Sequence, residues 1–243
     1  MKSTIPFQLS GVASWFVSLV FSFAQPVQAA AAARSVSVIS DSPESRAARY
    51  ATEKFQAALR GRKLSVASAP SLEGASGQFL VLAGTPAANG PAIQALRDAG
   101  TAVPTPPESL AVKKLTLRGK PALVLCGADH RGLMYALLDA AERVGWAAPN
   151  SDDPFAEIRD TTESPFVRDR SLSVYTMNRA HWESRFYDER YWTRYLDTLA
   201  ANRFNRFLII FGYENGGFLA PPYPYFFNTP GFDGVRMVDL TPD

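Results

Sequence analysis

Apolar and polar positions along this chain follow two different periods, and the switches between them mark the elements. Ser35-Val-Ser-Val-Ile39 alternates residue by residue, the pattern of a strand. Ala47, Ala48, Ala51, Phe55, Ala58 and Leu59 then recur at helical spacing. Ser42-Pro43-Glu44 ahead of them predicts an N-cap, a proline in the first turn and an acidic residue beside it, with Gly61 as the stop. Leu64–Ala67 and Gln78–Leu82 read as strands, and Pro91–Ala99 as a short helix. Leu110–Arg118 alternates and Pro121–Cys126 returns after Gly119-Lys120, which predicts a β-hairpin. Asp129 is placed to cap a helix whose stripe is Leu133, Met134, Leu137, Leu138, Ala141 and Val144, closed by Gly145.

Beyond Asp160 the pattern changes. Asn150–Pro154 and Thr161–Pro165 are turn-rich breaks that bracket an expected linker. Arg170–Thr176 alternates like a strand, Asp188–Asn202 is amphipathic with Tyr191, Trp192, Tyr195, Leu196 and Leu199 on one face, and Phe207–Phe211 is a continuous apolar run. Strand, loop, helix and strand in that order predict a βαβ unit of a parallel sheet.

Composition narrows the class. Of 243 residues 47% are hydrophobic and 20% charged, with a formal net charge of +2, which suits a globular protein. No block of Lys and Arg suggests a surface that tracks phosphates, so no nucleic-acid partner is expected. Residues 1–29 read as a secretory signal peptide: Lys2, an apolar core over Gly11–Ala24, and small residues at Val27 and Ala29 before the cleavage point. Export to a secreted or periplasmic location is therefore expected, with no membrane association after cleavage. Cys126 stands alone in an apolar run and reads as an inert core thiol. The two histidines, His130 and His181, form no metal-ligand pattern, so neither metal nor cofactor is expected.

Gly127-Ala-Asp-His-Arg-Gly132, following a hairpin strand and opening an apolar helix, resembles the end of the α/β domain that precedes the barrel in β-N-acetylhexosaminidases and α-glucuronidases. A dinucleotide turn is the other reading of such a junction, but Gly127 and Gly132 do not make G-x-G-x-x-G. Ser164-Pro-Phe-Val-Arg-Asp-Arg-Ser171 and Asn202-Arg-Phe-Asn-Arg-Phe207 are similar to the barrel entry of the hexosaminidases. The resemblance implies a hexosaminidase-like α/β domain over 34–160, then an incomplete (β/α)8 TIM barrel over 166–243, with the remaining barrel sequence lying C-terminal to Asp243. It also implies that Arg170 holds sugar hydroxyls, and that Asp129, Arg131 and Gly132 cap and pack.

In such a barrel the site is built from loops at the C-terminal strand ends. Two loops here carry sugar chemistry, forked donors for hydroxyls and rings for C–H faces. Asn178, Arg179, His181, Trp182 and Glu183 lie in the first, and Tyr213, Glu214 and Asn215 in the second. Pro221-Pro-Tyr-Pro-Tyr-Phe-Phe227 reads equally as a stacking wall or as rim packing. Glu183 and Glu214 are candidates for the carboxyl pair of a glycosidase, but the resemblance puts the acids on later strands, so the catalytic residues stay unassigned. The expected partner is a poly- or oligosaccharide substrate, its sugar left open among N-acetylhexosamine, a uronic acid or another sugar. A glycoside hydrolase and an exported non-catalytic carbohydrate-binding protein are the two function classes that fit.

Overall fold

The computed structural model describes residues 34–42, 44–149, 151–175 and 184–210. Among the described residues the main elements follow in this order: β1 (Ser35–Ser40), α1 (Arg46–Gly61), β2 (Ser65–Ser68), β3 (Phe79–Gly84), α2 (Pro91–Asp98), β4 (Leu110–Leu117), β5 (Lys120–Gly127), α3 (His130–Trp146), β6 (Thr161–Glu163), β7 (Ser171–Tyr175), α4 (Glu189–Ala201) and β8 (Arg206–Ile210). The fold is mixed α/β. Its main sheet has the order β2-β1-β3-β5-β4-β6, in which β2, β1, β3 and β5 run parallel and β4 is antiparallel to both its neighbours. A separate pair, β7 and β8, is parallel, with Ser171 opposite Arg206 and Tyr175 opposite Ile210.

The central strands are apolar on both faces because both faces are covered. Val36, Val38, Val81, Ala83, Leu123 and Leu125 pack with α1 and α3, while Leu80, Leu82, Ala122, Val124 and Cys126 pack with α2. Cys126 is fully buried, and burial, helped by the nearby Asp41 charge, pushes its thiol up to about 12. It is a small core side chain and stays protonated.

Several boundaries differ from the sequence expectation for identifiable reasons. Helix α1 starts one turn late, because the Ser45 hydroxyl accepts the Ala48 N–H at 3.3 Å. Ser42 is instead buried, its hydroxyl 3.4 Å from that of Thr85. Gly61 remains helical and Lys63 takes the left-handed conformation (φ 61°). Gly145 likewise stays inside α3, whose end is held from α1 by Arg62 donating to the carbonyls of Ala147 (2.6 Å) and Ala148. The hairpin turns one residue early, on Arg118 and Gly119, both with positive φ (52° and 72°) as a tight two-residue turn requires.

The expected linker is largely part of the sheet layer. Phe155 and Ile158 are buried in the same core as α1 and α3. Thr161–Glu163, read as a turn-rich break, forms the edge strand β6 against Leu110–Val112. Helix α4 is capped by Asp188, whose carboxylate accepts the N–H groups of Arg190 (2.9 Å) and Tyr191 (3.1 Å). Trp192 and Tyr195 pack on Phe207 of β8, with ring centroids 5.9 and 5.4 Å apart. Leu196, expected in the apolar stripe, is 48% exposed; the face turned to the first layer carries Ala200 and Asp197 instead. Asp197 accepts hydrogen bonds from Tyr50 (2.5 Å) and Lys54 (2.7 Å) of α1.

The junction between β5 and α3 allows no side chain at Gly127. A Cβ there would lie 1.9 Å from the Leu133 nitrogen, a backbone atom that cannot swing away. Gly127→Ala is expected to destabilise the fold by at least about 3 kcal/mol. Gly145→Ala, with nothing within 4 Å of the new methyl, should instead stabilise by about 0.5–1 kcal/mol. Urea denaturation of the two variants checks the contrast, and equal midpoints would refute it.

Candidate functional site

The register of β7 and β8 fixes where the two candidate loops begin. Tyr175 and Ile210 are paired across the small sheet, so the chain leaves both strands at one edge, side by side. Asn178, Arg179, His181, Trp182 and Glu183 of the first loop, and Tyr213, Glu214 and Asn215 of the second, lie outside the described residues.

Arg170 is described, and it sits at the opposite end, just before β7. Its guanidinium donates to the carbonyl oxygens of Arg203 (2.6 Å) and Val167 (2.8 Å) and to the carboxylate of Glu108. It also lies over the ring of the buried Tyr135, 5.8 Å from the centroid. Its donors thus serve the chain itself, tying the base of β7 to the first layer, where the resemblance had implied a hold on sugar hydroxyls.

Glu108, which sequence reasoning passed over, is the centre of this arrangement. It follows Pro106-Pro107, has a left-handed backbone (φ 60°), and only 10% of its side chain is exposed. Its Oε1 accepts from Arg131 at 2.5 Å, its Oε2 accepts from Arg170, and the Asn205 amide bridges both oxygens at 3.1 and 3.2 Å. The Asn205 oxygen in turn accepts the Arg170 N–H at 2.9 Å. The left-handed turn is held by Asp129, which accepts the Glu108 N–H at 2.9 Å. The other oxygen of Asp129 caps α3, accepting from Arg131 N (3.0 Å) and Gly132 N (2.8 Å). Gly132 completes the joint, since a Cβ there would meet the Ser109 carbonyl oxygen at 2.3 Å. Every polar or glycine position of the Gly127–Gly132 motif that resembled the hexosaminidases, apart from His130, therefore has a local structural task.

Burial is the largest influence on the Glu108 carboxyl and acts to raise its pKa. The hydrogen bonds from Arg131, Arg170 and Asn205 and the Arg170 charge outweigh it, and the carboxyl ends below its ordinary 4.5. Asp197 is lowered in the same way, with burial opposed by Lys54 and Tyr50.

In doubly wound sheets ligands bind at the strand ends where the order reverses. Here that point lies between β1 and β3, with α1 on one face and α2 on the other. The chain itself occupies it. Asp41 reaches across to accept the Ala92 N–H at 3.3 Å, capping α2, whose own N-cap is Gly90. A Cβ at Gly84 or Gly90 would come within 2.5 or 2.4 Å of the Asp41 carboxylate.

With this geometry in hand, comparison with known proteins returns no matching family model and no matching curated protein. Among solved structures the chain is similar to a GH138 enzyme targeting pectin rhamnogalacturonan II, with a TM-score of 0.50 and 14% sequence identity. The match covers 72% of this chain and 18% of that enzyme, so the chain spans less than a fifth of its neighbour's length. At that identity the likeness is one of fold.

Because its folded pKa is depressed, Glu108 contributes stability that is complete above 4.5 and is lost as pH falls through the lower folded value. Glu108→Gln, which leaves Arg131 and Arg170 without their counter-charge, should cost about 2–4 kcal/mol at pH 7. It should also flatten the loss of stability as pH falls below 4.5. Denaturation midpoints across that range are the readout, and parallel curves for wild type and variant would refute the assignment.

Proposed function

We propose that the chain is part of an exported glycoside hydrolase acting on a poly- or oligosaccharide, with the sugar met by the loops that follow β7 and β8. The observation that carries this reading is the parallel β7–α4–β8 unit, whose paired ends launch two loops rich in forked donors and rings. The likeness in fold to the GH138 enzyme supports it. The carbohydrate chemistry of the neighbour, an enzyme targeting a pectin polysaccharide, points to the same substrate class. The Gly127–Gly132 motif and the Ser164–Ser171 entry support the β-N-acetylhexosaminidase or α-glucuronidase type within that class. Trp182 and Tyr213 would offer rings to sugar faces, and Asn178, Arg179, His181, Glu183, Glu214 and Asn215 would hold hydroxyls.

Titration of the 243-residue chain with a panel of neutral oligosaccharides tests the reading. Saturable binding is expected, weakened about tenfold or more by Trp182→Ala, as loss of one stacking ring predicts. Absence of binding across the panel, or an unchanged affinity in the variant, would overturn it. Binding with no turnover by a chain shown to be full length in its host would favour the exported binding protein.

Export is part of the same proposal and rests on the apolar core over Gly11–Ala24 and the Val27-Gln-Ala29 site. Mass spectrometry of the protein produced in a bacterial host should find a mature N-terminus between Ala30 and Arg34. An intact Met1 in the membrane fraction would contradict it.

A further inference from the structure

A cleft of about 1110 Å³ opens at the N-terminal ends of β7 and β8, the edge opposite to Tyr175 and Ile210. It is lined by the start of α3, the Pro106-Pro107 turn and the segments leading into the two strands. Acidic and basic side chains both reach it, but they are not equally free. Glu108 is engaged by Arg131, Arg170 and Asn205, and Asp129 by three backbone N–H groups. Asp169 shares an exposed pair with Arg206 at 3.3 Å, a contact of small strength. On the basic side, the Arg168 guanidinium is exposed and has no hydrogen-bond or ion-pair partner among the described residues. Arg131 uses one of its nitrogens for Glu108, and half of its side chain stays exposed (52%). Formal charges in the lining balance, Arg131, Arg168 and Arg206 against Glu108, Asp129 and Asp169, but the donors of Arg168 and the exposed half of Arg131 remain uncommitted among the described residues.

Pro106, Pro107 and Pro165 line the cleft as well. Their rings are rigid and apolar and bring no N–H of their own. Forked cationic donors beside a rigid apolar wall suit a ligand that carries a carboxylate on a ring with a C–H face. The volume exceeds the range usual for one drug-sized ligand and leaves room for more than a single sugar ring.

We propose that this cleft is a second carbohydrate site, selective for acidic sugars, with Arg168 and Arg131 as the carboxylate partners. It rests on the carbohydrate reading above, but it uses none of the loop residues. It gives the protein a hold on an acidic polysaccharide away from the strand-end loops.

The test titrates the full 243-residue chain with a uronic-acid trisaccharide and its neutral methyl ester, with inorganic phosphate as a plain anion. Arg168→Ala and Trp182→Ala are compared with the wild type. Arg168 is exposed and its structural contacts run through its backbone carbonyl, so its variant should keep the wild-type melting point. The acidic trisaccharide should keep a saturable binding phase in Trp182→Ala, and Arg168→Ala should weaken that phase at least tenfold. The methyl ester should lose affinity to the same extent. Equal binding to wild type and Arg168→Ala would overturn the proposal, as would displacement by phosphate at equal concentration. Dependence on Trp182 alone would remove the cleft and leave the loop reading standing. Dependence on Arg168 with Trp182→Ala indifferent to neutral sugars would do the reverse.

Discussion

One carboxylate, that of Glu108, sits where three stretches of chain meet, and the geometry of each depends on it. The start of α3, the base of β7 and the base of β8 all place a donor on the same two oxygens. The residue is held in a left-handed backbone that costs a non-glycine residue about 1–2 kcal/mol. That strain persists because the surroundings over-determine it. Asp129 fixes the N–H, and Gly132 lets the neighbouring carbonyl settle against α3. The polar ties are few, but they converge, and convergence in a half-excluded space makes each stronger than the same contact on an open surface.

The two parts of the structure are thus held by different physics. The six-stranded layer is built by burial, with core side chains on both faces of its central strands. The β7–α4–β8 unit docks on that layer mainly through charge and hydrogen bonds: the Glu108 cluster, Arg203 on Glu163, and Tyr50 and Lys54 on Asp197. Apolar contact adds Ala200 on the first core, while Leu196 and Leu208 remain about half exposed. Attachment of this second kind is directional. It sets the angle at which β7 and β8 stand against the layer.

Much of the fold was legible in the sequence because apolar runs such as Val81 to Ala83 and Leu123 to Cys126 allow few other readings. Helix starts were legible where a side chain caps its own helix, as Asp129 and Asp188 do. The start of α2 was marked by Pro91, although its side-chain cap, Asp41 across a gap of 51 residues, was not legible. Helix α1 was placed a turn too early because Ser42-Pro43-Glu44 carries a stronger cap signal than Ser45. Thr161–Glu163 carries no strand pattern of its own, and only the open edge of β4 makes it one. The candidate loops announced themselves by residue type. Glu108 did not, because its partners stand 23, 62 and 97 residues away and no local spacing connects them.

The edge strand β6 has a consequence for where this protein can be divided. A cut after Asp160 looks clean in sequence, since a turn-rich segment follows. In the fold it would strip Thr161–Glu163 from β4 and bare the backbone of Leu110, Ala111 and Val112, an apolar and otherwise buried stretch. An uncovered edge of that kind recruits strands from other molecules. Between Glu163 and Ser171 the chain runs without helix or strand, and Arg203 is fastened across that stretch to the last residue of β6. The two parts are therefore sewn together at the very point where they would be separated.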